Sequence, residues 1–159
     1  MASDFLLEID GIKGESKDKK HADTIEVDSV SWGVSNAATM SAGTGGGSGK
    51  ASFSDLSFSS SVGKQSPLLM QACATGKHIA TAKLYVRKQG TDQLDFYVIT
   101  LTDLLVSSYQ SSASSGGSVP SDSFSLNFAK IEFSYSPQKA DGSLDTAVKA
   151  SWNLKENVK

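Results

Sequence analysis

The chain of 159 residues is short of the side chains from which most catalytic and metal centres are built. It has one cysteine, Cys73, so no internal disulfide can form, which suits folding in a reducing cytoplasm. It has two histidines, His21 and His78, and these with Cys73 do not fall at the spacing of a zinc site. No base and orienting group can be placed beside a serine or cysteine nucleophile. The carboxylates are scattered, and residues 141–145 lack the ligand spacing of a calcium loop. Residues 43–50 resemble a phosphate-binding loop, but Thr44 stands where glycine is needed and Ala51 follows Lys50 where serine or threonine is needed. Net charge is −2, with basic residues dispersed among acids, so neither nucleic acid nor an acidic membrane is favoured as partner. No run approaches the roughly 20 apolar residues of a membrane helix. The first ten residues have no basic start and are interrupted by Asp4 and Glu8, which predicts no cleaved signal peptide. The expectation is a protein without catalysis, cofactor, metal, nucleic acid or membrane insertion.

What the sequence does contain is strand and turn. Residues 5–9 read as a short strand, followed over 11–23 by a charged, solvated connection. Residues 24–38 read as a long strand whose apolar parity switches between Val27 and Val30, predicting a bend at Asp28-Ser29. A second kink is expected near Asp55 within 51–62, and a bulge near Ala129-Lys130, where Phe124, Leu126 and Phe128 give way to Ile131, Phe133 and Tyr135. Residues 79–89 alternate as a half-buried strand. Residues 94–108 carry Phe96 and Val98 on one face and Tyr97, Ile99 and Leu101 on the other, so both faces need cover. Turns are expected at 90–92 and at Asp141-Gly142. A closing strand over 147–154 presents Val148, Ala150, Trp152 and Leu154.

One helix is predicted, over 66–76. Ser66 suits the N-cap, Pro67 the first turn and Gly76 a left-handed end, with Leu69, Met70 and Cys73 sharing the packed face. Cys73 reads as a small buried thiol. About seven strands and one helix make a mainly β chain. The repeated parity slips predict a small barrel of two curved, antiparallel-rich sheets in a single domain, 1–159. Two Ser/Gly-rich stretches, 39–49 and 109–122, read as long loops. Trp32 and Trp152 read as core or interface. The apolar strand surface exceeds what one small barrel needs, which points to self-assembly.

Several stretches carry a family resemblance. They are Lys13-Gly14-Glu15-Ser16-Lys17-Asp18-Lys19 with His21, Val30-Ser31-Trp32-Gly33-Val34-Ser35, Leu56-Ser57-Phe58, and Pro67-Leu68-Leu69-Met70 through Cys73 to Gly76-Lys77-His78. Leu126-Asn127-Phe128-Ala129-Lys130, the run from Tyr135 to Gly142, and Trp152-Asn153-Leu154 follow in order. Together they resemble the haemolysin-coregulated protein (Hcp) family, the inner-tube protein of bacterial type VI secretion. The resemblance implies a two-sheet β-barrel with one helix. It also implies a six-membered ring with a wide pore, rings stacked into a tube, and a contractile sheath and a spike as partners. Small secreted effectors held in the lumen, assembly in the bacterial cytoplasm and export by the same machine complete the expectation. A toxic C-terminal extension, known in some members, is not expected here.

On that resemblance Tyr97, Ile99 and Leu101 are expected at the contact between subunits of a ring. Lys17, Asp18 and Lys20 in the charged loop, with Thr44 and Lys50 around the 39–49 arm, are expected between rings. Ser57, Ser59, Ser123 and Ser125 are expected to line the lumen. The alternatives are an effector-binding carrier ring, a phage-type tail tube subunit, and a small hydrolase on a β-barrel, the last disfavoured for want of a triad.

Overall fold

The structure, a computed structural model, describes residues 3–37, 50–88, 93–117 and 119–159. In chain order its strands are β1 (Ser3–Ile9), β2 (Ile25–Glu26), β3 (Ser29–Ser31), β4 (Val34–Asn36), β5 (Ala51–Phe53) and β6 (Leu56–Ser61). The helix α1 (Gln65–Thr75) is followed by β7 (Ile79–Lys88), β8 (Asp95–Ser112), β9 (Ser121–Tyr135) and β10 (Val148–Asn153). Eight strands form one curled antiparallel sheet in the order β2-β1-β7-β8-β9-β6-β3, with β10 added beside β9, and β4 and β5 form a separate hairpin. The expected mainly β fold of two antiparallel sheets with one helix is present, as a half-barrel whose second sheet is only that small hairpin.

The bend expected at Asp28-Ser29 is where the curl closes. The Val27 amide donates to Phe5 O at 3.0 Å, on one edge of the sheet, and the Asp28 amide donates to Ser59 O at 2.7 Å, on the other. The long strand expected over 24–38 is therefore three short ones, because the chain steps from edge to edge. The kink near Asp55 is likewise present, as the break between β5 and β6.

The inner face is packed with Leu7, Ile25, Leu56, Phe58, Leu84, Ile99, Leu101, Val106, Phe124 and Leu126, all buried. Removing each from water contributes about 1.5–3 kcal/mol, which is why the alternation fixes the curl. Phe58 and Phe124 are cross-strand partners with rings stacked at 5.2 Å.

β8 and β9 exchange faces together. Ile99 and Leu101 give way to Leu104 and Val106, opposite the change from Ile131 to Phe128. The same register holds on both sides, Thr102 facing Lys130 and Leu104 facing Phe128, so no bulge sits at Ala129-Lys130. The twist is absorbed across the pair by Asp103, whose φ is +53°. The true register shift lies between Val106 and Ser108.

The helix differs from expectation at its start. Its N-cap position is Lys64, without a side-chain cap, and Ser66 is buried in the first turn. The Ser66 hydroxyl accepts from the Gly63 amide at 3.0 Å and donates to the Asp122 carboxylate, to which the Tyr109 hydroxyl also donates at 2.7 Å. Asp122 is fully buried. Two hydroxyl donors make that burial tolerable and tie α1 to β8 and β9. Pro67 costs no bond, since first-turn amides have no intrahelical acceptor. Leu69 and Ala72 enter the core and Cys73 packs half-buried against it, whereas Met70 is 52% exposed. Met70 lies one residue, about 100° of helix, from Leu69 and so turns outward. The end is as expected: Gly76 is left-handed at φ +64°, and the Lys77 amide reaches Ala72 O.

Candidate assembly surfaces

The inner wall of the curl does not stop at the covered core. Ile131 and Phe133 on β9 face Trp152 and Ala150 on β10, and Tyr135 faces Val148. These residues, with Trp32, Val34 and Phe53 from the hairpin side, line an open groove of about 480 Å³ whose walls are almost wholly apolar. Val148 is 69% exposed, and Val34 and Tyr135 are exposed too. The aromatic rings interlock at its base: Trp32 lies 5.7 Å from Phe133, and Tyr97 meets Phe133 edge-on at 4.6 Å.

This arrangement corrects the expected ring contact. Ile99 and Leu101 are buried inside the chain's own core, at 0% and 1% exposure, so neither offers surface to a neighbour. The strand is covered by the curl on the Ile99 face, while Phe96 and Val98 on the other are half-buried. Tyr97 is half-buried in the aromatic cluster, within 3.5 Å of the Trp32 indole N–H. The closing strand expected over 147–154 is β10, which pairs with β9 alone, so Val148, Ala150 and Trp152 form an open margin, and Trp152, expected in core or interface, stands at its boundary. Their alternation next to Trp32 in a mainly β chain was the available signal.

The charged connection over 11–23 is not simply solvated. Ile12, Gly14 and Ser16 are buried while Lys13, Glu15, Lys17 and Lys19 face outward. Gly14 and Ser16 donate to the carbonyls of Asp23 and Thr24, and Gly14 lies so close that a Cβ there would meet Thr24 O at 2.4 Å. Asp18 is no free contact: it pairs bidentately with buried Arg87. That pairing, with the Lys20 and His21 amides, holds its carboxyl down at about 2 against the burial that would raise it. The same pairing raises Arg87. His21 stacks on Tyr85 at 3.9 Å and reaches Asp95 at 2.8 Å. Lys17 and Lys20 are exposed, the latter with its ammonium 3.4 Å from Gln93 O. Lys50 is exposed at the foot of β5; Thr44 and the whole 39–49 stretch lie outside the described residues, as does the turn at 90–92.

The four candidate lumen serines are brought together. Ser57 pairs with Ser125 and Ser59 with Ser123, and Ser31 and Ser29 extend the same face. Ser29 and Ser59 share a bond of 2.5 Å; Ser107 and Ser108 each bond Ser125, at 2.7 and 2.6 Å. The four candidates line a broad groove with Ser108, Gln110 and Asp55, floored in part by Trp32, Phe58 and Phe124, although Ser125 itself is nearly covered. The loop expected over 109–122 is shorter at both ends, since β8 runs to Ser112 and β9 starts at Ser121, where the two close their ladder.

Among the described residues no three His, Cys, Asp or Glu side chains are grouped to hold a metal ion, and no helix is long and apolar enough to cross a membrane. A core wall left open along one strand, next to a hydroxyl-lined face, defines the class: a structural subunit of a larger assembly. The family follows from likeness to known proteins. Residues 6–135 match the family described as "Type VI secretion system effector, Hcp". The chain is 45% identical to protein hcp1 of Pseudomonas aeruginosa over 160 residues, covering 99% of each. Its fold superimposes on a solved type six secretion system protein with a TM-score of 0.91 at 32% identity, covering 98% of each chain. Hcp1 from Salmonella typhimurium gives 0.81 at 36%, covering 99% of each. The chain belongs to the Hcp family and is a subunit of the type VI secretion tube.

Proposed function

We propose that this chain assembles into six-membered rings through the open apolar margin of its half-barrel, and that the rings stack into an exported tube. The observation that carries this reading is the groove along β10. Val148, Ala150 and Trp152 continue the core wall beyond the last covered strand. Exposed aromatic surface of this kind is a liability on a monomer and an anchor in an interface. The second surface such a contact needs is available elsewhere on the same chain, where Leu68 and Met70 of α1 stand exposed. Unlike patches on one subunit join head to tail, and a closing rotation makes a ring.

The serine face suits a lumen. Several of its hydroxyls pair with one another across the strands, which leaves them little grip on a passing chain. The charged loop, with Lys17 and Lys20 outward and Asp18 holding its shape from within, and the 39–49 arm, with Thr44 and Lys50, serve the contact between rings, which must form and later release; polar contacts suit that better than a dry seam. The sheath, the spike and small effectors are its partners, and the protein is assembled in the cytoplasm and then secreted without catalysis of its own. Negative-stain microscopy with light scattering tests the reading. Six-fold rings with an open centre are expected, whereas a monomer at all concentrations overturns it.

A further inference from the structure

Arg87 is 3% exposed although it lies one residue from the end of β7. Its Nη1 and Nη2 both bond the Asp18 carboxylate, and its Nε lies 3.8 Å from Asp4 without a hydrogen-bond partner. The carboxylate it holds also accepts the Lys20 amide at 2.9 Å and the His21 amide at 3.0 Å, while the Asp18 amide donates to Ser16. The turn over 17–20 is thus wound around one fixed anion, with Lys17 and Lys19 on its outside. His21 secures the far end through Asp95 and Tyr85, and Thr24 bonds the His21 carbonyl at 2.8 Å.

A surface turn carrying three lysines would otherwise spread, since like charges repel and ordering a segment costs conformational entropy. A bidentate guanidinium–carboxylate pair fixes distance and plane together, which a lysine cannot do. A contact loop ordered beforehand loses less on docking. We propose that Arg87 is a positioning residue for ring stacking: acting through Asp18, it fixes the turn over 17–20 so that Lys17 and Lys19 meet the next ring in one geometry. This rests on the reading of the loop as a stacking contact.

Limited trypsin digestion of purified rings, read by mass spectrometry, reports whether the turn is fixed, because trypsin cuts after lysine. The wild-type turn is expected to resist cleavage after Lys17 and Lys19. Arg87→Lys is expected to be cut there at least about tenfold faster while light scattering still shows rings and tube growth in negative stain falls. Asp18→Asn, which leaves the barrel wall intact, is expected to do the same and stands in should Arg87→Lys fail to fold. Wild-type protection in both variants overturns the inference, as does rapid cleavage with normal tubes. Lys17→Glu with Lys19→Glu keeps the clamp and separates the two readings. Normal tubes from that double variant overturn the loop's role in stacking and the inference with it. Lost tubes there, with normal tubes from Arg87→Lys, overturn the role of Arg87 alone.

Discussion

Trp152 stands opposite Ile131 on the neighbouring strand, one side chain half-exposed and the other buried. The boundary between finished core and open margin runs between them. Trp152→Ala is expected to weaken ring closure by about 2 kcal/mol or more per contact, the size of an interface anchor. Size-exclusion chromatography with light scattering would show the ring peak moving toward monomer. Val148→Glu, which leaves the core untouched, should do the same without lowering the melting temperature of the subunit.

A charge at Ile99 or Leu101 should act differently. Both are enclosed by their own chain, so Ile99→Asp places an unpaired carboxylate in the core, an effect expected to exceed about 4 kcal/mol. Insoluble or unfolded protein is the expected outcome by circular dichroism; a folded monomer would show that the side chain faces a neighbour after all.

The Asp18 carboxyl ionises at about 2 in the folded chain against 3.8 when free, because Arg87 holds the charged form. The folded value is the lower one, so its contribution to stability is complete above about pH 4 and is lost as pH falls toward 2. Asp18→Asn should therefore remove part of the acid dependence of urea unfolding in that window. Identical slopes for variant and wild type between pH 4 and 2 would count against the clamp.

Gly14 runs against the Thr24 carbonyl too closely for any side chain. Gly14→Ala should displace the 13–16 segment and cost about 1–3 kcal/mol, as forced overpacking does, measured as a lower melting temperature.

Tyr109→Phe removes one of the two hydroxyl donors on buried Asp122. Burial, with the bond to Asp122, already pushes the Tyr109 hydroxyl above its ordinary value, so it donates at any pH near neutral. The loss should be about 1–3 kcal/mol, with exchange of the α1 amides accelerated more than that of β1.

Most of the strands were legible because burial on one face imposes period two, as Phe58, Leu84 and Phe124 show with their buried neighbours Leu56, Val86 and Leu126. The end of the helix was legible because Gly76 meets a backbone demand. Its start was not: Ser66 has the chemistry of a cap, but Asp122, 56 residues away, competes for the same hydroxyl and wins. The serines of 109–122 read as loop because serine has little strand preference of its own, and cross-strand hydroxyl pairs supply what propensity lacks. For the candidate surfaces, parity identified an apolar face at Ile99 and Leu101 but not whether the chain would cover it. That depends on the curl, a long-range property. Arg87 went unmarked since its partner Asp18 lies 69 residues away.

The adjacent amides of Val27 and Asp28 fasten the two edges of the sheet across a single peptide. That clasp can shut only after the edges on either side of it are built, one from the N-terminal strand and one from β6 with all that pairs behind it. Contacts of that sequence separation are expected to form late in folding, and until they do the inner wall is open where the clasp would seal it. A subunit caught halfway would offer two sticky edges, the recipe for an unending ribbon. Among the described residues the clasp seals that side of the wall and leaves the β10 margin open, which limits the directions in which apolar contact can extend it.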